Sequence, residues 1–109
     1  MAKHLEDNIQ ENIVIAVRLY YPDSLIFAVP NGGKRNIREA IRLKRQGVTA
    51  GVSDLIFIHR GNVYFFEVKT DEGRQSLLQN QFEKFVIKQR FKYFIVRSAA
   101  EVLTIIDKL

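Results

Sequence analysis

DLIFIHRGNVYFFEVK, residues 54–69, reads as two β-strands joined by a tight reversal. Residues 54–59 and 63–69 are rich in β-branched and aromatic side chains, and the RGN link at 60–62 is short and contains Gly61, the composition of a hairpin. Side chains alternate along a strand, so Tyr64, Phe66 and Val68 take one face and Val63, Phe65, Glu67 and Lys69 the other. A tight turn allows two registers, one setting Asp54 opposite Glu67 and the other setting it opposite Lys69. Either puts Asp54 on the face that carries both. A bulge or a longer loop would send Asp54 to the other side.

Directly opposed Cβ atoms lie about 5 Å apart and diagonal ones about 7–8 Å. Two carboxylates that close repel each other, and within an apolar sheet the cost is high unless a positive charge lies between them. Lys69 supplies part of that charge. A divalent metal supplies more, and carboxylate oxygens suit Mg²⁺ or Mn²⁺. Such a metal, held by Asp54 and Glu67, could orient a water and polarise a phosphoryl oxygen, with Lys69 lowering the pKa of that water or stabilising the developing charge. The plainer alternative is an Asp–Lys–Glu salt-bridge set at a strand end.

Outward from the hairpin, apolar residues recur at helical spacing over 6–20 (Ile9, Ile13, Val14, Val17, Tyr20), ending before Pro22. LIFAV at 25–29 is β-prone and PNGG at 30–33 is turn chemistry. Residues 34–46 predict a helix with Ile37, Ala40 and Ile41 on one face and Gly47 as its stop. Ser76 to Arg90 predicts another, with Leu77, Leu78, Phe82, Phe85 and Val86 as its stripe. KYFIVR at 92–97 is a strand, and SAAE at 98–101 opens a last helix with a capping-box pattern. The order α-β-α-β-β-α-β-α is that of a small sheet flanked by helices.

The chain has 109 residues, enough for one domain over 1–109. Its 47% apolar content excludes a wholly disordered chain, and the absence of Cys excludes disulfide scaffolds, thiol catalysis and thiolate zinc sites. With only His4 and His59, a His-rich metal centre is not expected. No apolar run reaches the roughly 18 residues of a membrane span, and the first residues lack a secretory pattern; a cytoplasmic protein is expected. The net charge is +5, and the segment KRNIREAIRLKR (34–45) alone balances to +5. Lys34, Arg35, Arg38, Arg42, Lys44 and Arg45 are either a solvated helix face or a surface that meets phosphates and releases counterions.

GVSD (51–54) followed by EVK (67–69) resembles the PD-(D/E)xK nuclease superfamily. PNGGKR (30–35), LKRQGVTAGVSD (43–54) and FFEVKTDEGRQSLLQNQF (65–82) narrow the resemblance to its VRR-NUC family, the virus-type replication–repair nucleases, over about Glu6 to the C-terminus. The resemblance implies a restriction-endonuclease-like αβββαβ core, with helix 34–46 inserted between the first two strands. It implies Mg²⁺- or Mn²⁺-dependent cleavage of DNA phosphodiesters, leaving a 5′-phosphate. Short stand-alone members look like phage or bacterial proteins that dimerise and cut branched DNA such as Holliday junctions. By motif position, Asp54, Glu67 and the backbone carbonyl of Val68 would ligate metal and Lys69 would assist the nucleophile.

Gln79 would match the family's glutamine on the following helix, although Ser76-x-x-Gln79 is also a capping box. The family's first-helix glutamate would be Glu6, in EDNIQ, with Gln10 and Glu11 as rivals. Asn31, Gly32, Gly33, Lys34 and Arg35 would lie beside the scissile phosphate. Two departures are Ser53 and Leu77, where the family often has Pro. Tyr64, Phe65 and Phe66 are expected in the core rather than stacked on bases, and His59 at the surface. The competing readings are a non-catalytic nucleic-acid-binding or dimerisation module on the same fold, and a nuclease acting on RNA or linear DNA ends.

Overall fold

A computed structural model describes residues 2–30 and 36–109. Along the chain run α1 (Ala2–Tyr20), β1 (Leu25–Ala28), α2 (Ile37–Arg45), β2 (Leu55–His59), β3 (Asn62–Val68), α3 (Leu77–Lys88), β4 (Lys92–Val96) and α4 (Ala99–Asp107). The four strands form one sheet in the order β1-β2-β3-β4. β1 and β3 flank β2 antiparallel, while β4 joins β3 parallel, a pairing that requires a crossover, here through α3. The fold is thus a small mixed sheet flanked by helices, as the sequence predicts, with α2 inserted between β1 and β2.

The hairpin turns on two residues. Arg60 and Gly61 both have positive φ, 50° and 80°, the backbone twist that suits the right-handed twist of the flanking strands. Leu55 therefore pairs with Phe66, and Phe57 with Tyr64. Ile26, Leu55, Phe57, Tyr64, Phe66, Val68 and Val96 line one face of the sheet and close on Ile13 and Val17 of α1 and Val102 and Ile106 of α4. Phe57 lies at the centre, its ring 5.9 Å from that of Tyr64 and 5.7 Å from that of Phe66. Truncating such a ring to Ala typically costs about 3–5 kcal/mol. Across the sheet, Phe82 of α3 meets Phe65 edge-on at 5.7 Å. Tyr64, Phe65 and Phe66 are packing residues, as expected. His59 is half-buried, its ring 5.4 Å from that of Phe57 and 5.6 Å from that of Tyr21.

The helix ends follow their capping residues. Asn36 accepts from the Glu39 N–H at 2.7 Å, and Gly47, at φ 101°, takes the chain out of α2. Ser76 and Gln79 form the full capping box of α3. Ser98 caps α4 through the Glu101 N–H, but the Glu101 carboxylate reaches one residue further back, to the Arg97 N–H at 2.6 Å.

Two expected apolar faces are corrected. No side chain of α2 is buried among the described residues; Ile37 and Ile41 are 78% and 53% exposed. The reason is topological. β1 and β2 are antiparallel neighbours, so an insertion between them need not cross a sheet face. In α3 only Val86 is buried, with Phe82 half-buried, while Leu77, Leu78 and Phe85 stay exposed.

Candidate metal centre

Asp54 stands immediately before β2. The register that pairs Leu55 with Phe66 sets Asp54 opposite Glu67, the first of the two registers allowed by the sequence. Asp54 is tied to both neighbouring strands. Its carbonyl accepts from the Val29 N–H at 2.8 Å, and its Oδ2 accepts from the Val68 N–H at 2.7 Å. The carboxylate is thereby held against the end of β3, beside the peptide that joins Glu67 to Val68.

Glu67 is 1% exposed. Its Oε2 accepts from Gln79 Nε2 at 2.9 Å and lies 3.9 Å from Lys69 Nζ; its Oε1 accepts from the Tyr93 hydroxyl at 3.2 Å. Lys69 is buried as well, and its N–H extends the parallel pairing by donating to Val96 O at 3.0 Å. Burial pushes the Glu67 carboxyl up from 4.5 to about 8, helped by the hydrogen bond and the charge of Asp54, and opposed by Lys69 and Tyr93. The Tyr93 hydroxyl is pushed upward too, by burial and then by the charge of Glu67. Among the described residues, the one ion pair at Glu67 is with Lys69, a single ammonium beside two carboxylates.

Gln79 both completes the α3 cap and reaches Glu67. Its Oε1 accepts from the Ser76 N–H at 2.8 Å, completing the cap, while its Nε2 donates to Glu67. Gly51 brings α3 close enough for this. A Cβ on Gly51 would stand 2.5 Å from the Leu78 carbonyl oxygen, so the loop leading to Asp54 lies directly against the first turn of α3.

Asp54, Glu67, Lys69, Val68 and Gln79 are brought together. Glu6 is half-buried on α1, but among the described residues no group of three His, Asp or Glu side chains forms that could hold a metal. Gln10 and Glu11 line a separate hollow with Asp7 and Arg18. The helix α1 spends Ile13 and Val17 on the sheet face opposite Glu67, which is why its acids do not join the pair. Two carboxylates still match what Mg²⁺ takes from a protein, since it keeps waters and completes its shell with substrate phosphate oxygens. The hard oxygen donors, with Lys69 as the one ammonium beside Glu67 among the described residues, fit such an ion.

Arg38, Arg42, Lys44 and Arg45 are exposed on α2; Asn31, Gly32, Gly33, Lys34 and Arg35 lie outside the described residues. α2 borders α3 across a groove of about 840 Å³, lined by Leu43, Lys44, Val48, Leu78 and Phe85 among others.

Sequence reasoning missed two supports. Tyr93 donates to Glu67 from β4. Arg97 Nη1 donates to the carbonyls of Thr70, Asp71 (3.3 Å) and Gly73 (3.0 Å), pinning the loop that follows Lys69. Alternation within 92–97 does put Tyr93 and Arg97 on one face, but the partner of that strand cannot be read locally.

No protein-family model matches the chain, and no curated protein does. Solved structures share its fold, two of them VRR_NUC domains. One, described as a VRR_NUC domain protein, superposes with a TM-score of 0.74 at 22% identity, over 95% of this chain and 86% of that one. The other, described as a VRR_NUC domain, gives 0.64 at 20% identity, over 94% of this chain and 95% of that one. The mixed α/β architecture is therefore that of VRR_NUC domains.

Proposed function

We propose that the chain is a single-domain nuclease of the VRR-NUC family that hydrolyses DNA phosphodiesters with a divalent cation, Mg²⁺ or Mn²⁺. Its substrate is branched DNA, the Holliday junction included, and it acts as a homodimer inside the cell, since two opposed nicks need two sites. The observation that carries the reading is the pairing of Asp54 with buried Glu67 on one sheet face, with the Lys69 ammonium beside Glu67. A protein that only bound a polyanion would gain nothing from two acids there.

The cation would be held by Asp54, Glu67 and the Val68 carbonyl; when bound it supplies charge to a phosphoryl oxygen and acidity to a water. Asp54 keeps its carboxylate at the end of β3 through the Val68 N–H. Gln79 orients Glu67. Lys69, beside Glu67, offers a positive charge that would lower the pKa of the attacking water or stabilise the negative charge that develops on the phosphoryl oxygens. In-line attack by water forms one P–O bond as the bond from phosphorus to the 3′ oxygen breaks; the departing 3′ oxygen takes up a proton, leaving a 3′-hydroxyl and a 5′-phosphate. Lys34, Arg35 and the α2 cations hold the flanking backbone.

The test is incubation of the protein with four-way junctions, flaps, linear duplexes and RNA, in Mg²⁺, Mn²⁺ or EDTA. Cleavage of the branched substrates should need metal and fall by at least about 10³-fold in Glu67→Gln. Tight binding with every substrate intact would make the chain a binding module instead. Preference for RNA or duplex ends would replace the substrate class, and sedimentation on the same samples reads the stoichiometry.

A further inference from the structure

Glu67 reaches the site from a rigid strand, and its last side-chain torsion, which rotates the carboxylate plane, is the soft one. Gln79 anchors Oε2, with Lys69 beside the same oxygen and Asp54 hydrogen-bonded to the carboxyl; a contact on Oε1 is what fixes the remaining rotation about Oε2. Tyr93 supplies that contact. Its ring is held edge-on by Phe82 at 6.3 Å, so the hydroxyl is delivered to a fixed point 3.2 Å from Oε1.

The direction of that hydrogen bond is set from behind. Gln75 Nε2 donates to Glu83 Oε1 at 2.9 Å and to the Tyr93 oxygen at 3.2 Å. Gln75 Oε1 accepts from Asn80 Nδ2 at 3.2 Å. Both amide protons of Gln75 are thus engaged. With its oxygen already accepting from Gln75, the Tyr93 hydroxyl directs its own proton at Glu67. The chain Asn80 to Gln75 to Tyr93 to Glu67 runs in one donor direction throughout. Its members come from α3, the loop before it, β4 and β3, so the arrangement depends on the assembled fold.

The geometry points to Tyr93 as a positioning residue: with Gln75 behind it, Tyr93 fixes the plane of the Glu67 carboxylate for the divalent cation. The inference rests on the proposed metal-dependent reading of the same site. Outer partners that orient a ligand carboxylate typically contribute 10- to 100-fold in metal affinity or activity.

The test is Mn²⁺ binding to the DNA-free protein, followed by electron paramagnetic resonance, together with the metal dependence of junction cleavage. Tyr93→Phe removes only the hydroxyl. Its Mn²⁺ dissociation constant should rise about tenfold, and the metal concentration for half-maximal cleavage should rise with it, while the rate at saturating Mn²⁺ changes less than about threefold. Gln75→Leu, further from the carboxylate, should shift the constant in the same direction by about threefold. Phe82→Leu loosens the ring's packing without removing the hydroxyl, and should lower the melting temperature by more than it shifts Mn²⁺ affinity. Wild-type affinity in both Tyr93→Phe and Gln75→Leu overturns the inference while leaving the proposed function standing. A wild-type protein that binds no Mn²⁺ and cleaves nothing overturns both.

Discussion

Glu67 places a carboxyl where water scarcely reaches, and the consequence is a protein whose stability and metal affinity respond oppositely to pH. Its folded-state pKa is raised from 4.5 to about 8, first by burial and then by Asp54. The raised value means that the neutral form is favoured by folding. The contribution is complete below pH 4.5 and is lost as pH rises toward about 8, because the unfolded chain ionises first. The slope for one such group is at most about 1.4 kcal/mol per pH unit. Urea unfolding at pH 5 and pH 8 should show the wild type losing stability over that range and Glu67→Gln losing less; parallel losses would remove Glu67 as the cause. A divalent cation takes only the ionised carboxylate, so each pH unit up to about 8 should raise its apparent affinity by up to about tenfold. Calorimetry in two buffers of different ionisation enthalpy counts the proton released. Asp54, Glu67 and Lys69 were legible because a hairpin is local: a two-residue reversal sets the register and alternation does the rest. Tyr93 was not, because its pairing with β3 is made only after the chain has crossed through α3, and that register is decided by packing.

Among the elements, the loop from Gly47 to Ser53 and the first turn of α3 behave as one unit. Gly47 and Gly51 both have positive φ, 101° and 85°, but only at Gly51 would a side chain collide with anything. Gly47→Ala should cost what left-handed backbone costs an L residue, about 1–2 kcal/mol. Gly51→Ala carries that same strain and must also drive the Leu78 backbone away, so it should destabilise by at least about 1 kcal/mol more. Moving Leu78 moves Gln79, so Gly51→Ala should also lose cleavage that Gly47→Ala retains. Chemical unfolding and the junction assay on both variants check this, and equal losses would dissolve the coupling. The GVSD motif shows a glycine in the sequence, but what lies against it belongs to a contact across the fold. The same limit explains the helix faces. Periodicity shows that Ile37 and Ile41 share a side of α2 and that Leu77 and Phe85 belong to α3. It does not say whether the described fold lays anything over them, and both helices keep these residues exposed.

Over the whole molecule, charge is divided between an acidic pair that must approach phosphate and a basic helix that makes the approach affordable. The segment 34–45 carries a balance equal to the net +5 of the chain, so everything else is neutral overall. α2 exposes Arg38, Arg42, Lys44 and Arg45 and borders α3 across the groove, while α3 carries Gln79 at its first turn. Of these cations Lys44 lines the groove whose other side α3 forms. Counterion release makes the proposed role measurable: each cation that meets a phosphate on duplex DNA contributes about 0.9 to the slope of log affinity against log salt. Changing Arg38 and Arg42 together to Ala should reduce that slope by about 1.8. Fluorescence anisotropy on a labelled four-way junction reads it, with Glu67→Gln as background so that binding is separated from cleavage. The loss should be similar on linear duplex, because phosphate contacts position DNA without reading its sequence. An unchanged slope would remove α2 from the contact surface and leave its positive charge as a solvated face.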